Sequence, residues 1–344
     1  MYVNKENISI SASEIQNIIQ GKLFGNSDKK VSSLSSFESQ KENSLSFFTG
    51  NSKKTIEEAI SNQTCSILLI NDVLEEIKPK DNYCVISCKN AHRGFLTLIN
   101  LFYDEVKPIK GISEKSEIGQ NVKIGENLSL GAFSIIGDNS EIGDNVTICP
   151  NVTIYPNCKI GNNVTIHAGA VIREYTELGD NIVIQNGAII GADGFGYVPD
   201  PQMGLRPVPQ IGNVKLDSFV DIGANACIDR AAVSTTHVGY STKIDNLVQV
   251  GHNCTIGKFS ILCGLTGVAG STQIGNQVTL AGGVGVADHV KIVDGVRVAG
   301  RSIVDRSIEE KGDYMGHPLS ASIRYKRIQN IIKNLPETIK ELKK

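Results

Sequence analysis

The chain contains no tryptophan, few aromatic residues and only 10 prolines in 344 positions. It also lacks a charge excess, because 34 Lys and Arg residues nearly balance 36 Asp and Glu residues. A dedicated nucleic-acid-binding protein usually has a broad basic surface, so this balance argues against nucleic acid as a partner. The opening stretch MYVNKENISISAS has no apolar run and no small-residue cleavage site, which indicates no signal peptide and predicts a cytoplasmic protein.

Signs of disulfides and membrane spans are also missing. Eight cysteines occur, but none belongs to a CxxC pair, and a chain of this length does not need disulfides, so we expect reduced thiols. Residues 259–287 contain no charged side chain and no histidine. This segment is nevertheless rich in Gly, Ser, Thr and Gln and carries the repeat described next, so we predict no stable membrane insertion.

Glycine is abundant, with 34 residues, and many of them belong to a six-residue repeat. An aliphatic residue recurs at every sixth position from 112 to 190 without a break, and again from 238 to 298. Typical hexads are IGDNVT (142–147) and IGNNVT (160–165). Asn often takes the fourth place, where a left-handed backbone is tolerated by Asn and costly for most residues. These features predict short strands joined by tight corners.

Three hexads make one coil of a parallel β-helix, in which each aliphatic side chain stacks on its equivalent in the next coil. At about 4.8 Å per coil, some nine coils would give a prism roughly 40–45 Å long. The pattern resembles the left-handed hexapeptide-repeat helix, whose known members are mostly acyltransferases and mostly trimers. That resemblance implies the handedness, so we expect a mainly β protein built on a left-handed parallel β-helix.

The repeat divides the chain into three parts. Residues 1–107 lack it and mix helical and strand patterns, which predicts a small N-terminal α/β domain. Residues 108–305 form the β-helix, and 306–344 form a C-terminal helical tail that we expect to be interrupted near Pro336. From Ser320 onward the tail carries seven Lys or Arg against two Glu. This excess fits a solvated helix packed on trimer mates, or a docking surface for an acidic partner.

A regular prism has no pocket, so chemistry is expected where the repeat departs from its consensus. The largest departure is the insertion GADGFGYVPDPQMGLRPVPQ at 191–210, which carries the rings of Phe195 and Tyr197. A loop this long in a tight solenoid is usually a binding element, although it could also cover the helix or form a trimer contact. The six-residue spacing returns at Leu216, Ile222 and Ile228, and it shifts once more before Val238.

Six histidines occur, at 92, 167, 237, 252, 289 and 317. Gly270 follows His252 by three hexads, one full coil, and Asp288 follows Gly270 by the same interval, beside His289. His252, Gly270 and His289 should therefore converge on one edge of the prism. Two histidines near a glycine N–H supply a general base and an oxyanion donor for acyl transfer. The alternative is that each histidine is only a solvated corner residue.

A metal site is the competing interpretation, because hexapeptide helices with three histidines can bind zinc in a trimer, as in the gamma-class carbonic anhydrases. Here the spacing does not clearly supply three ligands, and no acidic group is evident behind the histidines, so we expect no metal. Cys158 and Cys254 occupy the small fifth place of their hexads, where a buried neutral thiol is expected.

Four strings carry a more specific resemblance: GADGFGY (191–197), IDRAA (228–232), KIDNLVQVGHN (243–253) and ADHVKI (287–292). In this order and spacing they resemble the UDP-3-O-(3-hydroxyacyl)glucosamine N-acyltransferases of lipid A biosynthesis, over almost the whole chain. The resemblance implies transfer of a 3-hydroxyacyl group from the 4′-phosphopantetheine arm of acyl carrier protein to the 2-amino group of a UDP-3-O-acylglucosamine, without a further cofactor. It also implies a homotrimer with active sites between neighbouring β-helices.

The resemblance assigns a role to each candidate residue of the β-helix. His252 would take the proton of the attacking amine, and Asp245 would orient the site or the pantetheine arm. The backbone N–H of Gly270 would hold the thioester oxyanion. His289 would contact the phosphate region of the nucleotide sugar or assist the oxyanion.

In the N-terminal domain the family holds the uracil with a Phe-x-x-Asn-x-x-Tyr pattern. Here SFFTGNSKK supplies Phe48 and Asn51, but Lys54 replaces the tyrosine. The lysine weakens one side of the uracil sandwich and could instead reach a phosphate or nearby backbone. These three residues, with Phe195 and Tyr197 of the insertion, are the expected substrate-binding residues.

Two alternatives stay open: a coenzyme-A-dependent sugar acetyltransferase on the same fold, and a noncatalytic solenoid that only binds. The separate N-terminal domain and the basic tail favour the acyl-carrier-protein-dependent enzyme over the first alternative. The pair of histidines on one edge argues against the second.

Overall fold

The computed structural model describes residues 2–74, 76–79, 82–105, 110–202, 204–316 and 319–342. The chain separates into two compact units, Met1–Pro108 and Ile109–Lys344. The predicted boundary between residues 107 and 108 falls outside the described residues, and so does His317. Each unit is a distinct fold, as the start of the repeat after the N-terminal part of the sequence suggests.

The first unit is a small α/β fold, as predicted. Its central sheet has the strand order Lys22–Gly25, Cys84–Cys88, Ile67–Asn71, Ser44–Phe48, Ser33–Leu34; the first pair is antiparallel and the others are parallel. Two antiparallel pairs lie outside it: Tyr2–Asn4 with Tyr103–Glu105, and Ile10–Ser11 with Lys30–Val31. The helices are α1 (Ala12–Ile19), α2 (Lys53–Ser61) and α3 (Ala91–Phe102), with a 3-10 turn at Phe37–Ser39.

A polar side chain caps the N-terminus of each of these three helices. Ser11, Ser52 and Asn90 each accept a hydrogen bond from a backbone N–H in the first turn of the helix that follows. Such caps satisfy donors that have no partner inside the helix. The apolar run at 66–70 becomes a central strand whose residues 67–70 are fully buried, which explains its unbroken hydrophobicity.

In the second unit the chain visits three sheets in turn, which are parallel except that Ser320–Ala321 pairs antiparallel with Asp313–Met315. The first sheet contains Glu117–Ile118, Ile135–Ile136, Thr153–Ile154, Val171–Ile172, Ile189–Ala192, Cys227–Asp229, Gln249–Val250, Gly267–Val268, Gly285–Val286 and Ile303–Val304. The second contains Lys123–Ile124, Glu141–Ile142, Lys159–Ile160, Glu177–Leu178, Asn213–Leu216, Thr235–Val238, Thr255–Ile256, Gln273–Ile274 and Lys291–Ile292. The third contains Ser129–Leu130, Thr147–Ile148, Thr165–Ile166, Val183–Ile184, Asp221–Ile222, Lys243–Ile244, Ile261–Leu262, Thr279–Leu280, Arg297–Val298, Asp313–Met315 and Ser320–Ala321.

The register of these sheets confirms the predicted stacking. Each regular strand pairs with the strand one coil away, so that Ile136 lies opposite Ile154, and Ile154 opposite Ile172. The sixth-position side chains fill a continuous core that is almost entirely buried. In the first coil Ile118 and Ile124 are partly exposed, because within this unit they have a neighbouring coil on one side only.

The corners follow two rules. The asparagines at the fourth hexad place have φ between 55° and 63°, which confirms the predicted left-handed conformation; they are residues 121, 127, 139, 145, 151, 157, 163, 181 and 253. At many corners a side chain of the next coil also accepts the N–H of the middle corner residue. Asp138 accepts from Gln120 at 2.7 Å, and Asn276 accepts from Lys258 at 2.8 Å. These side-chain caps satisfy donors that the short strands leave unpaired.

Two insertions interrupt the repeat, as the sequence predicts. Glu177 pairs with Lys215 across the insertion 191–210, which lengthens one coil to more than twice its regular size. It carries an antiparallel hairpin of Tyr197–Asp200 and Gly204–Pro207. One coil later Asp221 pairs with Lys243, and the extra segment in this coil is 231–234, here named the short insertion.

The C-terminal end corrects two expectations. The described residues 306–316 and 319–321 are not helical, because Asp313–Met315 extends the third sheet beside Arg297–Val298, and α4 begins only at Ser322 and ends at Leu342. Pro336 lies inside α4 and does not interrupt it. The helix is largely exposed, so water can satisfy the carbonyl that loses its partner at the proline. Within the described residues, none of the helices has the length and apolar character required to span a bilayer.

Candidate active site

The insertion 191–210 and successive coils of the β-helix enclose a cleft of about 770 Å³ at the corner that follows the first sheet. Five of the residues predicted from sequence line it: Phe195, Tyr197, His252, Gly270 and His289. The rings of Phe195 and Tyr197 meet edge to face, with centroids 5.1 Å apart, at the mouth of the cleft, where Phe195 is 84% exposed. The insertion that breaks the repeat therefore forms one site with His252 and His289.

Backbone hydrogen bonds tie the three coils together at this corner. The N–H of Ser271 donates to the carbonyl of His252 at 2.8 Å, and the N–H of His289 donates to the carbonyl of Gly270 at 3.2 Å. His252, Gly270 and Asp288 thus occupy the same corner place in successive coils, as the three-hexad spacing predicts. Because the strands on either side are in register, these positions are fixed by the coil geometry.

Two glycines lie against the side chain of His252: Gly194 in the insertion and Gly270 in the next coil. A Cβ on Gly270 would lie 2.7 Å from Nε2 of His252, and a Cβ on Gly194 would lie 2.5 Å from its Cβ. Side chains at these two positions would therefore collide with the histidine. The backbone of the insertion and that of the next coil both approach the imidazole, and Nε2 faces Gly270.

The N–H of Gly270 differs from the capped N–H groups of the regular corners. Asp288 stands one coil further on, at the place from which a side chain caps the corner elsewhere, but no acceptor for this N–H is found among the described residues. Asp288 instead lines the cleft. A backbone donor without an internal partner, in a residue that lines a cleft, is suited to stabilise a developing oxyanion.

Sequence reasoning missed Asp229, which lines the same cleft and is only 8% exposed. Burial raises the pKa of its carboxyl to about 6, against the opposing effects of a hydrogen bond from Gln249 and the charge of nearby His252. A carboxyl with a pKa near the working pH is typical of functional sites. The available signal was its place in IDRAA (228–232), the string at which the short insertion begins.

Arg230 was also missed, and it anchors the start of the insertion. Its side chain is 4% exposed, and its Nε donates to the carbonyl of Gly191 at 2.8 Å. Its guanidinium also lies 2.9 Å from the carboxylate of Glu174, to which Arg173 donates two further hydrogen bonds. The hydrogen bonds from Arg173 lower the pKa of Glu174, so the carboxylate stays charged beside the buried arginine.

Asp245 does not reach the cleft within one chain. It is exposed on the preceding corner, where its carboxylate accepts the N–H of Asn246 at 2.8 Å and the N–H of Gly264 at 2.9 Å. It therefore caps its own corner and makes no contact with His252. Its predicted role at the site remains a prediction that requires a neighbouring subunit.

The predicted uracil residues lie together in the first unit, between the strand Ser44–Phe48 and the start of α2. Phe48 is half-buried, with its ring centroid 4.8 Å from that of Phe37. Asn51 accepts a hydrogen bond from Nδ2 of Asn71 at 2.8 Å. Lys54 is exposed in the first turn of α2. Phe48 thus contributes to the core of this unit as well as to the surface, and the binding roles of all three residues remain predictions.

The described residues contain no group of three or more His, Cys, Asp and Glu side chains placed to hold a metal ion. All eight cysteines are free. Burial raises the pKa of Cys158 to about 12 and that of Cys254 to about 11, so both are neutral thiols, as their hexad place predicts.

Comparison with known proteins defines the class first. Residues 115–156, 139–174 and 157–192 match the bacterial transferase hexapeptide family, described as six repeats. The fold is similar to the crystal structure of an Arabidopsis UDP-N-acetylglucosamine acyltransferase, with a TM-score of 0.55 and 19% identity over 61% of this chain and 73% of that chain. The fold is therefore a left-handed parallel β-helix built from hexapeptide repeats.

Two relatives of known name point to one particular kind of acyltransferase. The probable UDP-3-O-acylglucosamine N-acyltransferase 2, mitochondrial, of Arabidopsis thaliana is 51% identical over 132 residues, 38% of this chain and 43% of that protein. The UDP-3-O-acylglucosamine N-acyltransferase of Herminiimonas arsenicoxydans is 41% identical over 162 residues, 46% of each chain. These matches confirm the resemblance to that family, although they span less than half the length of the relatives.

Proposed function

We propose that this protein is an N-acyltransferase that moves a 3-hydroxyacyl chain from acyl carrier protein to the 2-amino group of a UDP-3-O-acylglucosamine. The observation that carries the proposal is the pairing of His252 with the uncapped N–H of Gly270 in one cleft. A base and an oxyanion donor meet there in a chain similar to enzymes named for this acceptor. The thioester is already activated, so neither a covalent enzyme intermediate nor a metal is required.

The reaction follows from these groups. The acceptor amine attacks the thioester carbonyl, forming a C–N bond while Nε2 of His252 accepts the amine proton. The negative charge that develops on the carbonyl oxygen is held by the N–H of Gly270. When the C–S bond breaks, the pantetheine thiolate leaves and takes the proton from the imidazolium. His252 therefore returns to its neutral form, and the amide product carries no added charge.

Within the first unit, Phe48, Asn51 and Lys54 are the proposed contacts for the uracil of a nucleotide sugar. Within the second unit, His289 is the proposed contact for a phosphate group. Phe195 and Tyr197 stand at the mouth of the cleft, where they would contact the sugar or its acyl chain. These assignments rest on the resemblance and on the position of each side chain. A further prediction is that the protein acts in the cytoplasm.

We also propose a homotrimer with one site at each seam between subunits. Asp245 is exposed on the corner next to that of His252, so a neighbouring subunit would be needed to bring such a carboxylate to the cleft. Large apolar side chains in and directly after the insertion are also open, with Ile211 75% exposed and Leu205 67% exposed. Light scattering should show a trimer, and a fully active monomer would refute the assembly.

The basic helix α4 is the proposed contact for acyl carrier protein. Its cations Arg324, Lys326 and Arg327 are all exposed to solvent near the start of the helix. An acidic partner would be attracted electrostatically, and salt would screen the attraction. Added salt and removal of residues 320–344 should both raise KM for acyl carrier protein. Unchanged kinetics in a truncated trimer would leave α4 a structural element.

The decisive experiment is mass analysis of the product. The purified protein is incubated with UDP-3-O-acylglucosamine and a ladder of 3-hydroxyacyl thioesters on acyl carrier protein, with acetyl-coenzyme A as the parallel donor. We expect one N-acylated product whose mass increases with the chain supplied on the carrier protein. Transfer from acetyl-coenzyme A alone would support the acetyltransferase instead, and binding without any product would support a noncatalytic solenoid.

A further inference from the structure

The side-chain amide of Asn253 has an orientation that its neighbours fix. Its Oδ1 accepts the N–H of Ala232 at 3.0 Å, and its Nδ2 donates to the carbonyl of Val233 at 3.0 Å. A backbone N–H can only donate and a carbonyl can only accept, so the oxygen and nitrogen of this amide cannot be exchanged. The backbone N–H of Asn253 is also held, by Oγ1 of Thr236 at 2.9 Å.

This fixed amide decides which nitrogen of His252 carries the proton. Nδ1 of His252 lies 3.0 Å from Oδ1 of Asn253. Because Oδ1 is an acceptor, Nδ1 must donate, and the neutral imidazole then has a bare Nε2. Nε2 is the atom that faces Gly270. A general base at this site needs this tautomer, since the unprotonated nitrogen must face the reacting amine.

The two insertions of the repeat hold the backbone that fixes the amide. The N–H of Arg230 donates to the carbonyl of Ala192 at 2.8 Å, at the entry to the insertion 191–210. Just after its exit, the N–H of Ile211 donates to the carbonyl of Ala232 at 2.9 Å. The two ends of the long insertion therefore hydrogen-bond to the short insertion and to the residue directly before it. A regular coil has no residues in the place of Ala232 and Val233 and would leave Asn253 without these partners.

We propose that Asn253 is a positioning residue that holds His252 with its proton on Nδ1, and that the short insertion exists to fix the direction of the Asn253 amide. The proposal rests on the proposed function, in which His252 is the base. The two breaks in the repeat then serve the same site. The long insertion lines the cleft, and the short insertion determines the tautomer of His252 through Asn253.

The first test reads the tautomer in the intact protein and needs no turnover. Nitrogen-15 spectra of the protein labelled at histidine, with the His252 signals identified by their loss in His252→Gln, should show a pyrrole-type Nδ1 and a pyridine-type Nε2 at high pH. A pyridine-type Nδ1 would overturn the proposal. Because the spectrum is independent of substrate, it separates this result from a failure of the proposed reaction.

The second test uses two substitutions of Asn253 and a matched control. Asn253→Ala should lower kcat about 10–100-fold, as expected for loss of the group that orients a reactive histidine, with little change in KM for the nucleotide sugar. Asn163→Ala removes an asparagine with φ 55° from a corner away from the cleft, so it carries the same backbone cost without the histidine contact. Equal kcat in the two variants would overturn the proposal.

Asn253→Asp tests the pH dependence of kcat, which would not change if Asn253 had only a structural role. Its carboxylate would favour the imidazolium, so the acid limb of the pH dependence of kcat should shift to higher pH by about one pH unit. Other titratable groups face the same cleft, namely Asp193, Asp229, Asp288 and His289. The shift is therefore assigned by following the His252 nitrogen signals through the same titration, and an unmoved His252 titration would contradict the proposal.

Discussion

Apart from the short insertion, the coils at 117–190 and those at 213–289 share the same three-hexad period, but they build their corners differently. In the first group, asparagines take most of the left-handed positions, and Asp or Asn side chains of the next coil cap the corner N–H groups. In the second group Leu247, Leu265 and His289 adopt the same conformation, with φ of 59°, 64° and 56°. A left-handed backbone costs such side chains roughly 1–2 kcal/mol each.

The difference shows that the prism and the site depend on separate sets of residues. Strand register and buried aliphatic residues are the same in both groups of coils, so the core tolerates unfavourable corners. The corners and the two insertions carry the cleft, the uncapped N–H and the oriented histidine. Function is therefore concentrated where the local sequence disagrees with the repeat.

The largest expected effect is on His252. His252→Ala should lower kcat by roughly 10²–10⁴, the usual range for loss of a general base, while assembly and nucleotide affinity persist. His289→Ala should lower kcat less and weaken nucleotide-sugar binding more. His237→Ala, on the second sheet and bonded to Asp217 at 3.0 Å, is the control. Steady-state kinetics with normal kcat in His252→Ala would leave this histidine a corner residue.

The second effect compares a buried arginine with an exposed one. Arg230→Met leaves the start of the insertion without its anchor and should lower the free energy of unfolding by about 3–5 kcal/mol, as breaking a buried ion pair does. Arg297→Met breaks a bidentate contact with Asp313 in which the arginine is 70% exposed, and should cost about 0–1 kcal/mol. Denaturant unfolding that gives equal losses would remove the special role of Arg230.

The third effect concerns Asp229 and has a defined sign with pH. Burial raises its pKa from the ordinary 3.8 to about 6, so the folded chain keeps a proton that the unfolded chain releases as pH rises through this window. Stability contributed by the neutral carboxyl is therefore lost between about pH 4 and 6. Asp229→Asn avoids this loss, and its stability relative to the parent should rise by about 2–3 kcal/mol from pH 4 to 7.

Asp294→Asn provides the opposite control for Asp229→Asn. Hydrogen bonds from the side chain and backbone of Asn276 lower the pKa of Asp294, so its carboxylate stabilises the fold at neutral pH and that contribution disappears in acid. Thermal unfolding at several pH values measures both variants. The same pH trend in the two would contradict the difference between the cleft and the regular corners.

The smallest effect tests the corners directly. Asn163→Leu should lower the free energy of unfolding by roughly 1 kcal/mol, because leucine is strained at a left-handed corner. Leu265→Asn should raise it by a similar amount, since Leu265 has φ 64° and is 68% exposed. A loss of stability in Leu265→Asn would show instead that the leucine packs against a second copy of the chain.

Much of the site was predictable because a solenoid converts sequence spacing into position. A separation of three hexads placed His252 and Gly270 in adjacent coils, and the break in the frame located the insertion 191–210. The role of Arg230 could not be predicted, since its partners Gly191 and Glu174 lie 39 and 56 positions away across an insertion of unknown path. The course of α4 through Pro336 was mispredicted because an exposed helix can tolerate a proline that its sequence pattern disfavours.

The sequence by itself determined the β-helix, since a fixed period of aliphatic residues can bury its side chains only when equivalent positions stack. It also determined the corners, because asparagine tolerates a backbone conformation that other residues resist. Only the tertiary structure decided which nitrogen of His252 is bare and which backbone N–H is uncapped. Those properties depend on contacts between the two insertions and the neighbouring coils. The insertions lack the six-residue repeat, so their path cannot be predicted from sequence spacing.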